Sequence, residues 1–246
     1  MKISGRKLLH PVKLMDEARQ HDFAVMKARD ALVRMRTTIV NTVRGMLRSF
    51  GEDDTDLTVR NMKDAAKTMP PDMLDIVKPL LDQLKTIDEG IKKYDRKIEK
   101  LCKKHKPTDY LRQVKGVGPA IALAFVLVIG DPQRFPGGAK ACSYLGLVPR
   151  QDQSGETDRQ LNITKCGNSL MRRLLIQGAQ YIMGPRGEDC DLRRFGMRIA
   201  ARGGKTARKK AKVAVARKLV TVLLQLWSKP SIQYNPNHRA AGRKTA

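Results

Sequence analysis

The chain has little that would hold a metal, a disulfide or a membrane. Its four cysteines (Cys102, Cys142, Cys166 and Cys190) lie far apart and form no CxxC pair. That spacing excludes a disulfide framework or zinc ribbon and fits reduced thiols in a cytoplasmic protein. The four histidines (His10, His21, His105 and His238) fall in no metal-ligand constellation, so no metal is expected on this chain's own residues. The longest apolar run, 120–129, is too short to cross a bilayer. Residues 1–13 are basic but lack the apolar stretch and cleavage site of a signal peptide. Carboxylates are also missing from one region: none follows Asp191.

What is present is positive charge. The chain has 49 Lys and Arg against 24 Asp and Glu, a formal charge of +25, which implies a polyanionic partner. From Arg193 onward run Arg194, Arg198, Arg202, Lys205, Arg208, Lys209, Lys210, Lys212, Arg217 and Lys218 with no compensating acid. A solvated helix face normally mixes signs, so this run is either a phosphate-facing surface or a disordered tail. With 41% hydrophobic residues the chain can nevertheless bury a core.

Apolar pairs Val25/Met26, Leu32/Val33, Ile39/Val40 and Met46/Leu47 recur every seven residues, giving a helix over 14–50 that ends at Gly51. After the acidic loop 52–56, a second helix starts near Pro71. Val77, Leu80, Leu84, Ile87, Ile91, Tyr94, Ile98 and Leu101 step by three and four along it, a heptad seam. Pro79 either kinks this helix or marks a late first position. The two helices can pair antiparallel in one chain or join two chains as a dimerisation arm. The spacing predicts a mainly α protein: a remnant or linker at 1–13, long antiparallel coiled-coil helices over 14–106, a compact helical domain over 107–228, and a disordered basic tail at 229–246. The basic segment 103–107 is the candidate boundary. Within the compact domain, helices are expected at 109–114, 120–129, 139–145, 168–183 and 206–227. An irregular or hairpin stretch fills 146–163, and a Gly/Arg-rich passage precedes the last helix.

Three motifs carry the candidate chemistry. Lys115-Gly116-Val117-Gly118-Pro119 has the form of a helix–hairpin–helix turn. Gly116 and Gly118 can take positive φ, Pro119 suits the first turn of the next helix, and Lys115 adds charge. Such a turn touches phosphates rather than bases, although GxGP also simply joins packed helices. Ser154-Gly155 sits in a polar, exposed segment where a serine is ordinarily a turn residue. Finally, Thr164-Lys165-Cys166-Gly167-Asn168 leads into a helix bearing Arg172 and Arg173. Thr164, Asn168 or Ser169 can cap it, and the three cations would ring the cap, as a phosphate pocket or as a plain capped surface helix.

Taken together, QVKGVGPAIALAFVLVIGDPQRF, AKACSYLGLVPRQDQSGE and ITKCGNSLMRRLLIQGA resemble the bacterial insertion-sequence transposases of the one-ten type, whose relatives include the Piv and MooV DNA invertases. The resemblance covers their carboxy-terminal transposase domain, roughly residues 110–183. LLHPV and VMKARDALVRMRTTIVNTVRGMLRSFG look like the region linking the family's two domains. The resemblance implies a RuvC-like amino-terminal domain with a DEDD carboxylate set for divalent metal. It further implies a carboxy-terminal serine that forms a covalent phosphoserine link to DNA, and an element-encoded guide RNA. Ser154, beside Gly155, is the position that corresponds to that serine.

Only seven residues precede Leu8, where the carboxylate domain is expected. Asp16, Glu17 and Asp22 lie in a helical pattern and do not replace it. The expectation is therefore a truncated family member in the bacterial cytoplasm, associated with the nucleoid. It would bind DNA and, as the resemblance implies, a structured guide RNA through Lys115, Gly116, Gly118, Gly155, Lys165, Gly167, Asn168, Arg172 and Arg173. It would self-associate through the coiled coil and need Mg²⁺ only with the missing domain. The alternative is a non-catalytic helix–hairpin–helix DNA- or RNA-binding protein.

Overall fold

The computed structural model describes residues 15–51, 58, 61–62, 69–154 and 157–238, with the backbone alone at 152–154, 157–160 and 205. The expected remnant at 1–13, the loop 52–56 and the tail from 239 lie outside the described residues. Among the described residues the chain is mainly α, as expected, with one two-stranded sheet. Helices α1 (Glu17–Ser49) and α2 (Pro71–Lys104) form an arm. The helical body comprises α3 (Pro107–Leu111), α4 (Pro119–Ile129), α5 (Gly138–Tyr144), α6 (Ser169–Met183), α7 (Asp191–Ala200) and α8 (Gly204–Ser228). Strands β1 (Pro149–Ser154) and β2 (Thr157–Ile163) stand between α5 and α6.

Asp16 caps α1 by accepting from the Arg19 amide at 2.8 Å, and Pro71 occupies the first turn of α2. Pro79 therefore lies inside α2, which continues through it. The seam buries Phe23, Met26, Val40, Val43 and Leu47 of α1 against Met73, Val77, Leu84, Ile91 and Ile98 of α2. Cross-contacts fix the direction. Asp22 meets Lys104, Arg29 meets Asp95, and Arg36 meets Asp88, so partner numbers fall along α2 as they rise along α1. The heptad seam is thus filled from within one chain as an antiparallel hairpin.

The segment 103–107 is a tight corner. Buried Thr108 donates its hydroxyl towards the Cys102 and His105 carbonyls, at 2.9 and 2.8 Å, and so satisfies the end of α2. One apolar core runs through this corner, joining Phe23, Met26, Ile98 and Cys102 of the arm to the body. At its centre is α4, apolar on every face and buried from Ile121 to Ile129. It packs against α1, α2, α3 and α6, while α8 packs on α5, α6 and α7. Fully burying each large aliphatic side chain of this kind stabilises the fold by about 1.5–3 kcal/mol.

Two sequence expectations change. The Gly/Arg-rich passage before the last helix contains α7, whose amphipathic Leu192-Phe195-Ile199 spacing is interrupted by Gly196. A Cβ there would come within 2.6 Å of Val215 and 2.8 Å of Met183, so glycine is what lets α7 lie against α8. The disordered tail expected from 229 instead packs on the body through residue 238. The Tyr234 amide donates to Gln113 (2.9 Å), the Asp191 amide donates to the Pro236 carbonyl (2.8 Å), and the Tyr234 ring joins the core. Pro230 follows the end of α8 without releasing the chain from the surface.

Candidate nucleic-acid interface

The α3–α4 turn is built on close approach to α6. Gly116 has φ 94°, and a Cβ on it would lie 3.0 Å from both Ile182 and Tyr181. Gly178 faces it in return, its own Cβ position only 3.1 Å from the Gly116 carbonyl. Gly116 thus seats the turn on α6. Gly118 departs from expectation: at φ −84° and ψ 179° it is extended, exposed and open, so one glycine rather than two uses positive φ. Pro119 takes the first helical position, and no side chain caps α4. A groove of about 720 Å³ runs past this uncapped end. Its cations are already matched, with Arg29 2.5 Å from Asp95, Arg112 3.1 Å from Glu99 and Lys115 3.2 Å from Glu188.

At the start of α6, Asn168 is the cap, its Oδ1 accepting from the Met171 amide at 2.9 Å. The residues before it cross the end of α5 at backbone contact. A Cβ on Gly167 (φ 74°) would lie 2.2 Å from the Tyr144 carbonyl, and one on Gly146 (φ 67°) would lie 2.1 Å from the Cys166 carbonyl. The two arginines do not ring the cap as free charges. Arg172 donates to the Leu145 and Cys166 carbonyls and stitches this crossing, while Arg173 reaches Asp30 on α1 at 2.5 Å. Lys165, left-handed at φ 57° and exposed, has no side-chain partner among the described residues.

Ser154 ends β1, its Cα paired with that of Thr157, while Pro149 pairs with Ile163 at the base. The ladder continues below the base, where the Thr164 and Lys165 amides donate to the Val148 and Gly146 carbonyls. Five residues at ~3.4 Å each set Ser154 roughly 17 Å from Pro149. Along α6, ten residues at ~1.5 Å separate the cap from the Gly116 contact by about 15 Å. Lys165, Gly167, Asn168 and Arg172 are therefore brought together, and Lys115, Gly116 and Gly118 form a second cluster. Ser154, at the far end of the ladder, stands apart from the first cluster, and Gly155 lies outside the described residues.

The acid-free run from Arg193, expected as a phosphate-facing surface or a disordered tail, lies on the ordered helices α7 and α8. Arg194 is bound by Asp189, Asp191 and Asn237, and Arg193 by the Ile182 carbonyl at 2.9 Å. Arg198, Arg202, Arg208, Lys209 and Lys210 are exposed and have no partner among the described residues. The signal was the absence of any acid after Asp191. Thiol chemistry has poor candidates in the core: burial, with Glu99 nearby, pushes the Cys102 thiol up to about 11, and burial raises Cys142 as well. Among the described residues no three His, Cys, Asp or Glu converge as a metal cage.

Fold and site define a mainly helical, strongly cationic protein with a long hairpin arm. Residues 108–189 match the transposase family IS116/IS110/IS902. The chain is 33% identical over 181 residues to a probable family 20 transposase of Pseudomonas aeruginosa, covering 70% of this chain and 53% of that one. It is 31% identical over 172 residues to the transposase for insertion sequence element IS1111A of Coxiella burnetii, covering 65% and 46%. To the transposase for insertion sequence element IS1328 of Yersinia enterocolitica it is 25% identical over 184 residues, covering 73% and 55%. Over residues 108–189 the chain is similar to the carboxy-terminal region of IS110-type transposases, and it spans about half the length of these curated relatives. No helix among the described residues is long and apolar enough to cross a membrane.

Proposed function

We propose that this chain binds DNA as the carboxy-terminal part of an insertion-sequence transposase and that Ser154 is its strand-cleaving nucleophile. The observation that carries the DNA reading is the match of residues 108–189 to transposases in a chain of charge +25. In the cleavage step the Ser154 hydroxyl oxygen bonds to phosphorus, and the bond from phosphorus to the leaving deoxyribose oxygen breaks. The hydroxyl proton passes through water to that oxygen. One phosphodiester replaces another, so rejoining can run the step backwards. Among the described residues no set of His, Cys, Asp or Glu donors converges to hold Mg²⁺.

Self-association belongs to the same reading. Met35, Phe50 and Ile76 stay exposed along the arm and offer apolar surface to a second copy. A structured RNA is a second polyanion that this charge suits. Binding without catalysis is the competing reading, favoured by the distance of Ser154 from Lys165 and Arg172.

Gel-shift titration with duplex DNA tests the first claim: affinity falls steeply with salt, with a log–log slope of several units. A flat salt response overturns it. Supplying the amino-terminal domain of a complete relative with Mg²⁺ tests the second. Ser154→Ala then abolishes a protease-resistant DNA adduct; an adduct that persists removes Ser154 from the role.

A further inference from the structure

The unpaired cations of α7 and α8 lie beyond residues 108–189 and outside both glycine-built clusters. They are not on a loose tail. Ala207, Ala211, Val215 and Leu219 form a buried stripe at four-residue spacing that fixes the first turns of α8 to the body. Arg208, Lys209 and Lys210 fan over the opposite, exposed face. On α7, Leu192 and Gly196 are buried, and Arg198 is left outside with Arg202 just beyond the helix. The α7–α8 turn carries Gly203 and Gly204 at positive φ, with nothing within 4 Å of either Cβ position. Elsewhere the body matches its cations internally, as at Arg112 and Arg173, and on α7 itself Arg194 is held by Asp189 and Asp191. Arg198, Arg202, Arg208, Lys209 and Lys210 have no partner among the described residues, and the sequence holds no acid after Asp191 that could supply one locally.

We propose that the outer face of α7–α8 is a docking surface for the backbone of duplex DNA, separate from the α3–α4 turn and the α6 cap. The proposal rests on the DNA-binding reading above and adds where the duplex lies. Charge complementarity selects the partner: B-DNA presents one negative charge per ~1.7 Å of axis, and each Lys or Arg that neutralises a phosphate releases condensed counterions. A fixed exposed helix also fits the wide B-form major groove, whereas the A-form groove of duplex RNA is too narrow for it.

The test uses the full chain and the triple variant Arg208→Gln, Lys209→Gln, Lys210→Gln. All three side chains point to solvent, and circular dichroism checks that helix content is kept. At ~0.1 M salt the triple variant loses duplex affinity on the order of 100-fold, and its salt slope falls by roughly 2–3. The Lys209→Arg, Lys210→Arg variant keeps both, and Lys115→Gln, Lys165→Gln changes the slope independently. If wild type binds duplex DNA with a steep slope and the triple variant matches it, this surface is wrong and the DNA reading survives. A triple variant that loses structured RNA but keeps DNA also overturns the proposal. If wild type binds no DNA at any salt, the functional reading fails and takes this inference with it.

Discussion

Asp22 is the strongest single test of how the two helices of the arm are latched where α2 ends. Only 4% exposed, its carboxylate accepts from Nε2 of His105 at 2.8 Å and from Nζ of Lys104 at 3.0 Å. Burial alone would raise its pKa, but the hydrogen bonds and charges of His105 and Lys104 outweigh burial and hold it below 3.8. Asp22→Asn keeps the shape and removes the charge. The Lys104 head is mostly in solvent and adds about 0–1 kcal/mol, while the shielded His105 bond to a charged acceptor contributes about 1.5–3. The variant should therefore lose about 2 kcal/mol at neutral pH, read as a lower urea midpoint at unchanged slope. A depressed folded pKa contributes stability that is complete above the unfolded carboxylate pKa of about 3.9 and disappears as pH falls through the folded value. The gap between wild type and variant should accordingly hold at pH ~6 and close below pH ~3. An equal gap at both pH values, or none at neutrality, would refute a charged latch at Asp22.

Glycine geometry gives a second contrast, read by thermal denaturation. Gly167→Ala meets the Tyr144 carbonyl in left-handed backbone and should cost more than about 2 kcal/mol. Gly118→Ala meets open space in extended backbone and should stay within about 0.5 kcal/mol. Equal losses would show that the α5–α6 crossing does not depend on Gly167. Thiol labelling of the native protein at pH ~8, mapped by mass spectrometry, should mark exposed Cys166 first. Buried Cys102 and Cys142, with raised thiol pKa values, should react only on unfolding; early labelling of Cys142 would contradict its packing under α8.

Periodicity carried the long helices into view, because α1 and α2 repeat an apolar stripe over many turns and α4 is one unbroken apolar run. The short α7 escaped, since Gly196 and three arginines obscure its stripe; only contact with Val215 and Met183 explains that glycine. The glycine and cation motifs were legible, but the partners of their residues were not. Arg173 meets Asp30 across 143 positions, and no local spacing announces such a contact. Gly116 and Gly167 looked like phosphate-facing glycines, and each is required by the approach of a second backbone segment. The tail from 229 was misread for a related reason: its anchors, Gln113 and Asp191, belong to elements far away in sequence.

These internal partners narrow which cations nucleic acid can recruit. Lys115 and Glu188 are 72% and 67% exposed, so their pair is worth about 0–1 kcal/mol, and a phosphate can displace Glu188 at small cost. Arg173 is harder to recruit, because releasing it leaves Asp30, only 17% exposed, with Arg34 as its remaining partner. Arg172 is different in kind. It satisfies the Leu145 and Cys166 carbonyls at the glycine crossing, so turning it outward would strip hydrogen bonds from the base of the hairpin that carries Ser154. Arg172 therefore acts as a brace. Of the cations in the glycine motifs, Lys115 and Lys165 remain available for phosphate, too few to match a charge of +25, and the exposed cations Arg198, Arg202, Arg208, Lys209 and Lys210 at α7 and α8 supply the larger share of what a duplex can meet.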